Sequence, residues 1–217
     1  MEKWIETETT LDTVNWKGKP IQIPKVKALQ DPKTGEILVY PSDVAKAEVN
    51  QIAQKFDICP RDIGTFLMLL AKPDCFTKGD VFYKYHLQKM LFYMWKTLDM
   101  DYGESLPLDQ FVPADNGPVP KHLDADLERL GKRKLIITKP EKWKDKTSKI
   151  VTSKRIMLTE EGEKVAGELS RLLPDPYKEI VLRVKKRIYL LDPESVRHLV
   201  HKEFPEYTNT YLKNDIE

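Results

Sequence analysis

The sequence predicts a mostly α-helical α+β protein with a winged helix-turn-helix-like domain at its centre. Two observations support this fold class. Residues Pro118 to Leu172 read in order as a helix, a strand, a basic segment, a second strand and another helix, which is the order of a winged helix. Apolar residues make up 41% of the 217, enough to bury a core, and no apolar run approaches the ~18 residues of a membrane span.

Three segments follow from this pattern, with bounds at 1-72, 78-175 and 176-217. The first would hold a β-hairpin and two helices. The second is the winged-helix domain, and the third is a C-terminal helical extension packed on it. The start of the chain, MEKWIETETT, has no apolar signal region, so we expect a soluble, cytoplasmic protein.

The N-terminal elements are predicted from turn and capping residues. Residues Trp4 to Lys19 are polar and would form a poorly anchored arm. The stretches Ile21 to Leu29 and Glu36 to Tyr40 flank DPKTG, whose Asp, Pro and Gly favour a turn, and they therefore predict a β-hairpin. Helices would follow from Ser42 or Asp43 to about Phe56, and from Pro60 until Pro73 ends the second.

A third helix is predicted from about Val81 to Leu98 (VFYKYHLQKMLFYMWKTL). Its apolar and aromatic residues are too many for one narrow stripe, so it would be the central helix of a core or half of a homodimer seam. Asp99 to Gly117 would be a loop region. Pro118 and Pro120 would then open a fourth helix, in which leucines at spacings of four and three face the core. Its outward side mixes acids and bases.

The predicted wing carries the strongest charge of the chain. Strands at Leu135 to Thr138 and Lys154 to Leu158 would be joined by a long basic loop with Trp143 near its middle, and Thr159 would cap the next helix. Between Arg129 and Arg155, eleven Lys and Arg stand against two acids, a balance of +9 in a chain of net charge +2. This asymmetry favours a polyanionic partner. Trp143 would stack on a base or fold back onto the strands.

The residues predicted to contact nucleic acid lie on the fourth helix and the wing. Those near the helix ends would position the helix, and those of the wing would follow phosphates. They are Lys121, Arg129, Lys132, Arg133, Lys134, Lys139, Lys142, Trp143, Lys144, Lys146, Lys149, Lys154 and Arg155.

The C-terminal segment is predicted to be helical and partly basic. The stretch YKEIVLRVKKRIYLL has apolar residues on one side and a second positive surface on the other. The cations of that surface are Arg183, Lys185, Lys186 and Arg187. A further helix is expected from Pro193 to Glu203, after which the chain should fray.

Catalytic and metal-binding patterns are sparse. The sequence has no Gly-rich phosphate loop, no HExxH and no GxSxG, so we expect neither an enzyme nor a cofactor. His198 and His201 lie three residues apart on the predicted last helix and would be the basis of a metal-dependent enzyme as a minor alternative. Cys59 and Cys75 have no CxxC partner and predict neither a disulfide framework nor a zinc site.

Several motifs resemble known families. NGPVPKHLDADLERLGKRKLI followed by SKRIMLTEEGEKVAGEL is similar to the recognition helix, wing and LTxxG helix start of MarR-type and PadR-type winged-helix proteins. The succession YKYHLQKMLFYMWK, NGPV, LDADLERLGKRKLI and LVHKEFPEYT more closely resembles the YwgA-like and Panacea-type domain, in which a QK-containing aromatic helix leads to a GP-containing turn. The resemblance covers roughly Phe82 to Thr208 and implies intracellular control or protein neutralisation.

Two classes of function follow. The leading expectation is binding of duplex DNA by a transcriptional-regulator-like homodimer. The alternative is an antitoxin-like or adaptor module that uses the winged helix as a scaffold and binds an acidic protein through the same basic surface. Neither involves a membrane.

Overall fold

The computed structural model describes residues 4–14, 20–71, 82–102, 110–144, 150–173 and 175–208. Within them the protein is α+β, as predicted. The strands are β1 (Ile5–Val14), β2 (Pro20–Gln30), β3 (Ile37–Leu38), β4 (Phe82–Tyr83), β5 (Phe111–Val112), β6 (Val119–Pro120), β7 (Ile136–Lys144) and β8 (Ile150–Leu158). The helices are α1 (Pro41–Lys55), α2 (Asp62–Leu70), α3 (Lys84–Tyr102), α4 (Leu123–Lys132), α5 (Glu160–Leu172), α6 (Asp175–Ile188) and α7 (Pro193–Glu203).

The chain divides into two compact units. The first consists of residues 1–60 with 98–107, and the second of residues 61–97 with 108–217. The segment bounds inferred from the sequence, 1-72, 78-175 and 176-217, stay predictions about which parts fold together.

The first unit contains an antiparallel sheet of order β1-β2-β3 with α1 against β2. The apolar face of β2 is fully buried at Ile23 and Val26. The predicted hairpin is confirmed by the pairing of Leu29 with Leu38. Its DPKTG turn is held by the side chain of Asp31, which accepts a hydrogen bond of 2.7 Å from the backbone of Lys33.

The prediction of a poorly anchored arm at Trp4 to Lys19 is wrong for the residues of β1. Ile5–Val14 pairs along its length with β2, interrupted by a bulge where two β2 residues, Pro24 and Lys25, oppose Thr10. Lys25 there adopts a φ of +58°. Residues 6, 8, 10 and 12 are exposed and residues 7, 9, 11 and 13 are half-buried. This alternation is that of a strand with one solvated face. It is not visible in the sequence, because the half-buried positions 7, 9 and 13 are Thr and only position 11 is apolar.

In the second unit, α3 is the central helix of a core. Leu87, Met90 and Phe92 are fully buried, which confirms the core alternative for these side chains. The ring of Phe92 packs within 5.1 Å of Phe204 and 5.0 Å of Tyr207, measured between centroids. The helix begins at Lys84, later than predicted, because the two preceding residues form β4.

The predicted start of the fourth helix is corrected by the structure. Val119 and Pro120 form β6, paired with β5, and α4 begins only at Leu123. A residue that precedes proline is driven out of the helical region towards extended backbone, so closely spaced prolines favour a strand here. The expected apolar face is confirmed, since Leu123, Leu127 and Leu130 are all buried.

The GP-containing turn is clamped between α3 and α7. The ammonium of Lys89, which is fully buried, donates a hydrogen bond of 2.7 Å to the carbonyl of Pro118. Gly117 has a φ of +79°, and a Cβ on it would lie 2.9 Å from Cγ1 of Val200. The glycine is thus required by both its conformation and the close approach of α7.

The two wing strands are confirmed and extend further than predicted. β7 and β8 pair from Ile136 with Leu158 to Lys144 with Ile150, and β4 adds to β8. Trp143 therefore lies in a strand rather than in a loop. The stretch KPEKWK has no alternation of apolar and polar residues, so it reads as a loop in the sequence.

The helix cap predicted at Thr159 matches the structure. The hydroxyl of Thr159 accepts from the backbone of Gly162 at 3.0 Å and donates to the carbonyl of Lys134 at 2.7 Å, so it joins α5 to the end of α4. The predicted helix at Pro193–Glu203 is confirmed at both ends.

One cation of the predicted C-terminal basic surface is buried instead. Lys185 is 2% exposed, and its ammonium donates to the carbonyls of Met68, at 2.9 Å, and of Ala71. These carbonyls belong to the end of α2, where the helix has no further N–H groups to satisfy them. Lys186 and Arg187 are exposed, as predicted.

Candidate interaction surface

An open groove with a volume of about 1060 Å³ lies beside α4 and the start of β7. We name it the α4–β7 groove. Its α4 side includes Ala125, Glu128 and Gly131, and its β7 side includes Ile137 and Thr138. Gly131 has no neighbouring atom within 4 Å of where a Cβ would be, and Ile137 is 39% exposed. The groove therefore has a small-residue floor that leaves room for another molecule.

Strand register sorts the predicted wing cations onto two faces of the hairpin. Lys154 pairs with Pro140, and Lys142 pairs with Thr152, so Lys142 and Lys154 share the face to which Thr138 belongs. Lys139 pairs with Arg155 on the opposite face. Lys154 lines the α4–β7 groove directly. The basic set is consequently divided between two surfaces rather than gathered on one.

The end of α4 contributes the other exposed cations. Lys132 pairs with Glu128 one turn earlier at 2.7 Å, with both side chains largely exposed. Lys134 lines the groove and adopts a φ of +57°, where its backbone N–H closes the helix on Gly131. Arg133 is also exposed. At the other end of α4, Lys121 is exposed.

Some of the predicted site lies beyond what the structure describes. Lys146 and Lys149 lie outside the described residues. Trp143 and Lys144 are placed in β7 by their backbone alone. The interpretation of Trp143 as a stacking or covering residue therefore stays a prediction.

Arg129, a predicted phosphate contact, is engaged within the chain. Its guanidinium donates two hydrogen bonds to the carboxylate of Asp62, at 2.8 and 2.9 Å, and a third to Asp126 at 2.8 Å. Asp62 is 1% exposed. Arg61 holds the other side of Asp126 with contacts of 2.5 and 2.7 Å. The four residues form a part-buried ionic network that joins α2 to α4.

The network has a defined pH dependence. Burial would raise the pKa of Asp126, but the hydrogen bonds and charges of Arg61 and Arg129 outweigh it and hold the pKa below its ordinary value of 3.8. A carboxyl with a lowered pKa stabilises the fold above its unfolded value. The stabilisation by Asp126 is thus complete at neutral pH and is lost as the pH falls below about 3.8 towards the folded pKa.

Replacing Arg129 with methionine is expected to destabilise the protein by about 3 to 5 kcal/mol, because a nearly buried carboxylate loses its bidentate partner. Replacing Lys132 with methionine is the matched control on the same helix, and its exposed ion pair should be worth less than about 1 kcal/mol. Urea unfolding at pH 7 measures both. Equal losses for the two variants would show that Asp62 does not depend on Arg129.

Acidic side chains also border the α4–β7 groove. Asp124 pairs with Lys84 at 2.5 Å, and Glu128 lies between Lys132 and Lys154. A hydrogen bond from Lys132, its charge and then the charge of Lys154 hold the pKa of Glu128 below its ordinary value. Lys84 had no place in the predicted site, because only the fold brings the start of α3 to this groove. The groove thus presents carboxylates together with ammonium groups.

The described residues add no support for the minor alternative of a metal-dependent enzyme based on His198 and His201. No group of three or more potential metal ligands occurs among the described residues. His198 is largely exposed, and its Nε2 lies 3.9 Å from Glu194. His201 is instead hydrogen-bonded to the backbone of Asp115, and burial, followed by the charges of nearby cations, lowers its pKa. In the part of the chain that the structure describes, no helix is long and apolar enough to span a membrane.

A comparison with family models finds a match over residues 87–205, to the family described as antitoxin SocA-like, Panacea domain. The matched range is more than half of the chain and contains the whole of α4, β7, β8 and α5. A search of curated proteins found no match. The Panacea-type resemblance is thereby confirmed, whereas the likeness to YwgA-like, MarR-type and PadR-type proteins stays a prediction.

Proposed function

Because the chain belongs to the SocA-like antitoxin family with a Panacea domain, we propose that it is an antitoxin-like module that neutralises or recruits a protein partner by binding it. In this proposal, an acidic surface of the partner binds in the α4–β7 groove. The family match carries the proposal, and most residues that line the α4–β7 groove lie within the matched range 87–205.

The charges around the groove suit a protein better than a nucleic acid. Lys134 and Lys154 would attract the acidic groups of a partner. Asp124 and Glu128 stand in the same groove and would repel the continuous phosphates of a duplex, whereas a protein can place a basic or neutral side chain opposite them. Arg129 is already committed to Asp62 and Asp126. Duplex-DNA binding and transcription regulation, the leading expectation from the sequence, find no support in the family.

In this proposal, a winged helix is the scaffold that presents the α4–β7 groove. The succession α4, β7, β8 and α5 supports it, since this is the order of a recognition helix, a wing and a closing helix. Binding rather than catalysis would be the activity. The homodimer predicted from the sequence stays a prediction.

The test uses the full chain co-expressed with the products of its neighbouring genes. We expect a protein to co-purify at moderate salt and to stay bound after nuclease treatment. Reversing three exposed lysines, Lys134→Glu, Lys142→Glu and Lys154→Glu, should slow association at least about tenfold at low salt, because rim charges steer encounter. Association rates measured by surface plasmon resonance check this.

A matched control reverses three exposed lysines elsewhere in the second unit: Lys164→Glu, Lys186→Glu and Lys202→Glu. Both triple variants have the same net charge, and the association rate of this control should change much less than that of the groove variant. If nuclease removes all bound material and a mobility shift reveals duplex binding, nucleic-acid binding replaces the proposal. If both triple variants slow association equally, the α4–β7 groove is not the docking surface.

A further inference from the structure

The ammonium of Lys96 lies among three aromatic rings of the second unit. It is 4.8 Å from the centroid of the Trp95 ring, 4.8 Å from that of Tyr207 and 6.0 Å from that of Phe204. The planes of Trp95 and Tyr207 stand at 82° to each other, so these two rings form adjacent walls of one site. Among the described residues, no carboxylate pairs with this ammonium. We call the three rings Trp95, Phe204 and Tyr207 the aromatic cage.

The walls of the aromatic cage are held in place by other rings packed against them. Phe92, which is fully buried, lies 5.9 Å from Trp95, measured between ring centroids. It also supports Phe204 and Tyr207, at 5.1 and 5.0 Å. Phe111 stacks on Trp95 at 5.3 Å, with an angle of 22° between the two planes. Rotation of a wall would break these contacts, so we expect the cage to keep its shape when Lys96 leaves it.

The aromatic cage can be reached from solvent. Its three rings are half-buried, and so is Lys96. The face of an aromatic ring attracts a cation, and the attraction is stronger where the cation is shielded from water. Lys96 therefore shows which chemical class the cage accepts. The flexible four-carbon stem of the lysine also allows its ammonium to move out into solvent.

We propose that the aromatic cage binds an arginine side chain of a partner protein, which displaces Lys96. An arginine is favoured over a lysine because its guanidinium is planar, stacks on aromatic faces and is more weakly hydrated than an ammonium. A lysine of the partner would gain nothing over Lys96, which is already tethered beside the cage. In the free chain, Lys96 covers the rings until the partner binds. The cage residues do not line the α4–β7 groove, so the inference does not rest on the proposed function.

The test measures binding of a defined probe, N-acetyl-arginine N-methylamide, to the full chain. Its twin is the corresponding citrulline compound, which has nearly the same shape without the charge. Binding is followed by the NMR shift of the indole N–H of Trp95, whose signal is assigned with Trp95→Phe. Lys96→Ala should bind the arginine probe at least about tenfold more tightly than the parent chain, because the competing ammonium is gone. Lys96→Arg should bind it more weakly than the parent, because a tethered guanidinium occupies the cage more firmly.

Lys202→Ala is the matched control, since it removes the same charge at an exposed position of α7. Its affinity for the arginine probe should equal that of the parent chain. Tyr207→Leu in the Lys96→Ala chain should abolish binding, because it removes one wall of the cage. Circular dichroism confirms that each variant is folded, and the Lys96 series tests the proposal even if Tyr207→Leu does not fold.

Four results would overturn the proposal. They are no saturable binding by the Lys96→Ala chain, equal affinity of that chain for the citrulline twin, equal gains in Lys96→Ala and Lys202→Ala, and unchanged binding in a folded Tyr207→Leu chain. Tighter binding of N-acetyl-trimethyllysine N-methylamide than of the arginine probe would also overturn it, and would assign the cage to a methylated lysine instead.

Discussion

Replacing Gly162 with alanine is expected to destabilise the protein by on the order of 3 kcal/mol or more, because a Cβ at this position has no space. It would overlap the carbonyl oxygen of Leu135 and lie 2.9 Å from the carbonyl carbon. Backbone atoms cannot move aside as the end of a flexible side chain can. Relief of the clash would require α5 to withdraw from the start of β7, which would also break the cap made by Thr159.

The matched control is Gly167→Ala in the same helix. No atom lies within 4 Å of a Cβ built on Gly167, so the change should be neutral or stabilise the helix by about 0.5 to 1 kcal/mol. Urea unfolding followed by circular dichroism measures both variants. If the two shift the midpoint alike, then close approach is not the reason for glycine in the LTxxG helix start.

Replacing Lys89 with methionine is expected to flatten the rise of stability with pH between about pH 7 and pH 9. Burial lowers the pKa of Lys89 from 10.5 to about 7. Between these values the unfolded chain binds one proton that the folded chain does not, so stability rises by about 1.4 kcal/mol per pH unit. Below about pH 7 the group is protonated in both states and its contribution no longer changes. From pH 7 to pH 9, the parent chain should gain about 2 to 3 kcal/mol over the variant.

The measurement is urea unfolding at pH 6, 7, 8 and 9 for both chains. Lys202→Met is the control, since Lys202 is exposed and its removal should leave the slope unchanged. The neutral amine of Lys89 can still donate to the carbonyl of Pro118, so the GP-containing turn keeps its hydrogen bond at high pH. Parallel stability curves for parent and Lys89→Met would show that Lys89 keeps an ordinary pKa.

Elements set by local rules could be predicted from the sequence. The turn after β2 depends on an Asp side chain and a glycine of positive φ, both of which are visible in DPKTG. The start of α5 depends on a Thr cap, and α7 on an Asp cap followed by proline. The family also followed from local patterns, since the QK helix and GP turn are joined by the bond from Lys89 to Pro118.

The predictions that failed share one cause: they concern polar residues whose positions are fixed by tertiary contacts rather than by local sequence. β1 was missed because its Thr and Glu alternation lacks an apolar face, although its pairing with β2 settles the strand. The full length of the wing strands was missed because KPEKWK has no alternation of apolar and polar residues. In the predicted site, strand register separated Lys139 from Lys142 and Lys154 and so divided one basic stretch between two surfaces.

The sequence by itself determined the helices with apolar periodicity, the capped and turn positions, the excess of positive charge between Arg129 and Arg155, and the Panacea-type pattern. Only the tertiary structure decided which charges are available to a partner. Arg129 and Lys185 look like surface cations along the chain, yet one binds Asp62 and the other caps the end of α2. The physical reason is that sequence periodicity indicates which apolar side chains face the core. The position of a buried charge depends instead on the polar group that compensates its burial. For Arg129 and Lys185 these groups lie more than sixty residues away along the chain.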